Sequence, residues 1–178
     1  MKQILYVLGL AIVLSGIYTS CKKDSLEALR QDEVAILDKY VKDNKLEENR
    51  DPSGIYFKEL IPGTGDTIKS GFKVMLQYNI MTMNNDTVFS TENGAGQTFE
   101  ESPFFVNVSN DVVNANYVQQ ISGLHIGLKK MRIGERAFMV IPSELAFKAV
   151  DYSSIHIPRF STLLVYVYAK SGYNNIPK

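Results

Sequence analysis

Cysteine is nearly absent from this chain: 178 residues contain one, Cys21. A single thiol closes no internal disulfide, so the fold has to rest on its apolar core and Cys21 needs another explanation. Neither sign of charge is in excess. Lys and Arg number 19 and so do Asp and Glu, which leaves no basic surplus to recruit nucleic acid. Histidine is scarce as well. His125 and His156 are the only two, far apart and without cysteine or clustered carboxylates beside them, which makes a poor metal site. No serine sits in a motif that would supply it with a base, so nucleophilic catalysis has no visible candidate. Internal repeats and low-complexity tracts are missing too.

What the chain does have begins at its N-terminus. Met1-Lys2-Gln3 carries one positive charge and leads into an apolar run from Ile4 to Leu14, of signal-peptide length and short for a membrane span. Cys21 follows Tyr18-Thr19-Ser20. The arrangement resembles a bacterial lipoprotein signal, in which small residues precede a cysteine that becomes lipidated and N-terminal after cleavage. Tyr18 stands where that signal usually has leucine, and the plain alternative is a free cysteine behind an ordinary signal anchor. The expectation is a signal peptide over 1–20 and a lipid anchor at Cys21. That anchor would hold the protein to a bacterial cell envelope, at the outer membrane facing the periplasm.

From Asp24 to about Glu48 the pattern is helical: Leu26, Leu29, Leu37, Tyr40 and Val41 recur at three- and four-residue steps, flanked by Val34 and Ile36. Asp24 and Glu27 suit a helix start, where carboxylates satisfy free backbone N–H groups. Residues 49–54, Asn-Arg-Asp-Pro-Ser-Gly, break the pattern. An anchor and helical spacer over 21–52 follows, whose apolar stripe needs either the main domain or a second copy as partner.

Strand signals come next. Ile55 to Leu60 is stopped by Ile61-Pro62-Gly63-Thr64-Gly65-Asp66. Val74, Leu76, Tyr78 and Ile80 alternate with Lys73, Met75, Gln77 and Asn79, so one face is buried and the other wet. Asn84-Asn85-Asp86 supplies a hairpin turn before Thr87-Val88-Phe89 returns. Residues 91–103 read as a loop, Pro103–Val108 as a strand and 109–120 as a long connection rich in Asn and Gln. Ala137, Met139 and Ile141 then alternate with Phe138 and Val140, and Thr162–Tyr168 is a β-branched and aromatic final strand. This order predicts an α+β domain over 53–170, an antiparallel sheet with one short helix, and a tail over 171–178.

Within that domain Ile121, Gly123-Leu124, Gly127-Leu128 and Met131 lead into Gly134-Glu135-Arg136, followed by Ile141-Pro142 and by Ile157-Pro158 ahead of Ser161-Thr162-Leu163. The order and spacing resemble the FKBP-type peptidyl-prolyl cis-trans isomerases. The resemblance implies an antiparallel sheet curled around a short helix, no cofactor and no metal, and proline-containing peptides or exported proteins as partners. It also implies site residues. Tyr78 falls on the pocket tyrosine of the central strand, Phe89 on the aromatic after the hairpin and Phe104 on a second wall aromatic. Ile121 matches the position whose backbone N–H binds a substrate carbonyl, Leu124 the pocket floor, Phe147 the usual tyrosine of the loop, and Ile157 the residue before the proline of the last motif. Ser90 stands where the family usually has aspartate, Leu124 replaces the common tryptophan, and Phe147 lacks a phenol.

Such a site needs little classical catalytic equipment. Isomerising an X–Pro bond means lowering a rotational barrier of about 18–20 kcal/mol that comes from amide resonance. Twisting the bond reduces its charge separation, so an apolar, water-poor pocket with aromatic walls and a few hydrogen bonds favours the twisted state. With the polar rim thinned at Ser90 and Phe147, two functions stay open: an isomerase of reduced activity, or a non-catalytic module that binds a peptide or protein in the same groove. The aromatics themselves read either as pocket lining or as ordinary core.

Overall fold

The structure, a computed structural model, describes residues 23–92, 101–106, 117–152 and 155–174. The signal peptide over 1–20 and the anchor at Cys21 lie outside the described residues.

Strand β2 (Phe72–Thr82) is the spine of the molecule. Its burial alternates strictly, because Val74, Leu76, Tyr78 and Ile80 point into the core while Lys73, Gln77 and Asn79 point away. Around it stand β1 (Tyr56–Ile61), β3 (Thr87–Ser90), β4 (Ser102–Phe105), β5 (Arg136–Ile141) and β6 (Leu163–Asn174), all antiparallel, in the order β1-β5-β6-β2-β3. β3 and β4 share the second edge of β2, pairing with Asn79–Met81 and Lys73–Leu76 respectively. The hairpin between β2 and β3 turns at Asn85, whose φ of 64° is a conformation asparagine tolerates. The sheet is curled, and the fold is the FKBP-like α+β arrangement that the sequence predicts.

β6 runs to Asn174, six residues beyond the expected end of the final strand. Ser171-Gly172 looks like a breaker in sequence, but β2 begins at Phe72 and offers partners as far as Asn174. A register shift at Met75/Leu76 absorbs the mismatch, so residues 171–174 belong to the sheet and not to a tail. The expected strand at 103–108 is β4, described as far as Phe105 with a turn at Val106.

Helix α1 (Lys23–Asp43) ends earlier than the periodicity suggests. Lys45 takes a left-handed φ of 53° and the Leu46 amide folds back onto Val41 O at 2.9 Å, which terminates the helix and buries Leu46. A single 3-10 turn, Glu47–Asn49, follows. Leu37 and Val41 pack with Leu46 on the outer face of the sheet, against Tyr56, Phe138, Val140 and Leu164. This explains why β5 is buried on both faces: Ala137, Met139 and Ile141 face the inner core while Phe138 and Val140 face α1. Packing on the domain is thus what the second half of the stripe does. Leu26, Leu29, Val34 and Ile36 remain exposed.

Candidate functional site

Helix α2 (Ser122–Leu128) lies on the inner face, and glycine is what lets it lie so close. A Cβ at Gly123 would collide with the Ile141 side chain, and one at Gly127 with the Met139 thioether. The i, i+4 spacing of these two glycines places both on the side of the helix that meets β5. After the helix, Gly134 (φ 89°) makes the turn into β5 and its amide donates to Ala169 O at 2.7 Å. Glu135 beside it accepts from the Arg132 amide at 2.8 Å through Oε2, and burial above all pushes its carboxyl up from the ordinary value. These bonds fix the geometry of the turn into β5, so the Gly-Glu pair acts structurally.

At the other end of α2 the chain delivers Ile121 and Leu124, both fully buried. Phe147, Ile157, Tyr78 and Phe104 belong to the same buried cluster, and Phe89 packs against it half-buried. Aromatic contact then extends outward. Phe89 has its ring centroid 6.4 Å from Phe147 and 6.1 Å from Tyr117, on which it stacks. Tyr152 meets Tyr117 edge-on at 5.4 Å and Phe147 edge-on at 5.2 Å, the geometry that ring quadrupoles favour. Tyr152 is held there by a pair of backbone hydrogen bonds with Ile157, 2.9 and 3.2 Å long. Four rings from β3, the 3-10 turn Tyr117–Gln120 and the loop after β5 therefore converge above the buried floor.

Tyr117 and Tyr152 were not legible as site residues. Tyr117 sits in what reads as an Asn- and Gln-rich connection, and nothing local in sequence says that it stacks on a ring 28 positions earlier. Only the aromatic character of both was available as a signal.

Other expected residues take different places. Phe104 is in the core wall, 4.7 Å from the His125 ring, and not among the four converging rings. His125 Nε2 is 2.8 Å from Gln119 O, and burial chiefly lowers its pKa, which favours the neutral imidazole. Ser90 pairs with Asn79 on β2, is exposed, and its hydroxyl accepts from the Glu92 amide at 3.0 Å. Thr91, the next residue, is the one that turns in, bonding both the N–H and the carbonyl of Tyr78 through its hydroxyl at 2.9 and 3.2 Å. The Ile121 amide donates to Val118 O at 3.2 Å, a long bond in the turn that precedes α2.

A cavity of about 310 Å³ opens on the opposite, outer face of the sheet, among Leu60, Gln77, Asn79, Arg136, Tyr166 and Tyr168. Among the described residues no three His, Cys, Asp or Glu side chains come together as a metal-binding group.

A sequence profile described as FKBP-type peptidyl-prolyl cis-trans isomerase matches residues 65–168. No curated protein matches the chain in sequence. Among solved structures, FkpA from Escherichia coli is similar at 20% identity with a TM-score of 0.67, the match covering 98% of this chain and 72% of that one. A peptidyl-prolyl cis-trans isomerase from Pseudomonas syringae pv. tomato gives 20% identity and a TM-score of 0.61 over 82% of this chain and 94% of its own. The N-terminal domain of FKBP42 from Arabidopsis thaliana gives 20% and 0.54, over 67% and 86%. At these identities the structural likeness is one of fold.

Proposed function

We propose that this chain, which belongs to the FKBP-type peptidyl-prolyl cis-trans isomerase family, isomerises X–Pro bonds of exported polypeptides from a lipid anchor at Cys21 on the bacterial envelope, in the outer membrane facing the periplasm. The observation that carries the catalytic part is the convergence of Phe89, Phe147, Tyr117 and Tyr152 over the cluster that holds Tyr78, Ile121 and Leu124. Rings in that arrangement grip a proline and exclude water, and a twisting amide, which sheds charge separation, is favoured there over the planar one. The anchor rests on the apolar run Ile4–Leu14 and the position of Cys21 behind small residues.

The rate is expected to be low. Orientation of the scissile-like amide depends on hydrogen bonds, and here Phe147 has no hydroxyl, the Ser90 hydroxyl accepts from Glu92 and the Ile121 amide already serves Val118. These same features favour the second reading, a peptide-binding module without turnover. A protease-free isomerisation assay on the full chain separates the two. Slow but measurable exchange that rises in Phe147→Tyr supports the enzyme. Peptide binding with no exchange in either form supports the module, and shift changes confined to another surface would remove the pocket from both.

A further inference from the structure

Glu33 is a buried carboxylate on α1, and no part of the mechanism uses it. It occupies the i−4 position to Leu37 on the row that packs against the sheet, where an apolar side chain is ordinarily found. Its charge is satisfied by three donors. Oε1 accepts from the Ser143 amide at 2.8 Å and from the Thr162 hydroxyl at 2.8 Å, and Oε2 accepts from the Ser143 hydroxyl at 2.6 Å. Ser143 and Thr162 are themselves buried, and they are the two ends of the loop that carries Phe147, Tyr152 and Ile157.

We propose that Glu33 is a positioning residue, through which α1 clamps the two ends of this loop and so holds Phe147 in place over the pocket; the inference rests on the aromatic site being the substrate site. The chain of contacts is short. The Ser143 carbonyl accepts from the amides of Ala146 and Lys148, at 2.9 and 2.8 Å, on either side of Phe147. The Lys148 carbonyl in turn accepts from the Phe160 amide at 2.9 Å and closes the loop on itself. Lys148 and Phe160 both hold left-handed φ, 56° and 54°, which a loop keeps only when its surroundings over-determine it. Charge-assisted hydrogen bonds to a buried carboxylate supply such a constraint. An Arg30–Glu144 ion pair adds a second, exposed tie between α1 and the same loop. The helix does not need Glu33 to stay docked, since Leu37, Val41 and Leu46 bury its second half on the sheet.

The test compares Glu33→Ala with Leu37→Ala in the full chain. Both loosen α1, and only the first cuts the clamp. At a temperature below both melting transitions, E33A is expected to speed amide exchange at Ala146 and Lys148, and to raise KM for a proline tetrapeptide on the order of tenfold as the binding-competent fraction falls. L37A should leave both near native. Glu33→Gln keeps the shape and can retain all three contacts, with the Ser143 hydroxyl turning from donor to acceptor, so it should stay within about threefold of native. Unchanged exchange and KM in E33A, or equal changes in L37A at a matched loss of melting temperature, would overturn the clamp. A native chain without isomerase activity would instead count against the enzyme reading, and the exchange comparison would still decide the clamp.

Discussion

Gly123→Ala is the sharpest test of how α2 is seated. A methyl group at Gly123 collides with Ile141, which is fully buried in the inner face of β5 and is β-branched, so its Cγ2 cannot swing aside. Overpacking of this kind costs about 1–3 kcal/mol. Removing glycine from a helix returns about 1 kcal/mol through lower backbone entropy in the unfolded chain. The net expectation is a loss of up to about 2 kcal/mol, read as a lower urea midpoint at unchanged slope. Gly127→Ala is the comparison. There the obstruction is the end of the Met139 side chain, which is unbranched and can change rotamer, so the helix-propensity gain should cancel most of the strain. Ile141→Ala in the G123A background tests the cause directly. It vacates the colliding atoms, and the double variant should be more stable than the sum of the two single losses by about 1 kcal/mol. A Gly123→Ala protein more stable than native, or strict additivity with Ile141→Ala, would refute the close approach of α2 to β5.

Phe89→Ala should weaken binding of a proline peptide about tenfold by removing the ring that stacks on Tyr117 and faces Phe147; its stability cost should fall below the roughly 3–5 kcal/mol of a fully buried phenylalanine, since the ring is half-exposed. The Asp51 carboxyl is held at about 2 against an ordinary 3.8, first by its hydrogen-bonded ion pair with Lys130 and then by the Ser53 hydroxyl and amide. Because the folded pKa is depressed, that stabilisation is present above pH 3.8 and lost as pH falls towards 2. Asp51→Asn should therefore be less stable than native at pH 6 and match it near pH 2, in urea titrations at each pH. Cys21→Ala should move the protein from the membrane fraction to the soluble one with an unchanged melting curve; full membrane retention without labelled lipid on the native chain would end the anchor reading.

Much of the scaffold was written in short-range pattern. The alternation from Lys73 to Ile80 defines a strand with one buried face, Asn84-Asn85-Asp86 defines the hairpin, and Gly123 with Gly127 marks the helix face that must come close to something. Such features need only two to four residues to express, because side-chain direction repeats at those intervals. The family pattern added which elements come together, and with them Tyr78, Phe89, Ile121, Leu124 and Phe147 as neighbours. Register and topology decided the rest. Ser90 and Thr91 look interchangeable in sequence, yet the pairing of Asn79 with Ser90 turns one hydroxyl out and the next one in. β6 reaches Asn174 because β2 starts early enough to partner it, in spite of a Gly that reads locally as an end. Tyr117 and Tyr152 join the aromatic site, and Glu33 reaches Ser143 and Thr162 across 110 and 129 positions. Periodicity carries no information over such separations, and only the closing of the sheet brings those groups within hydrogen-bonding or stacking range.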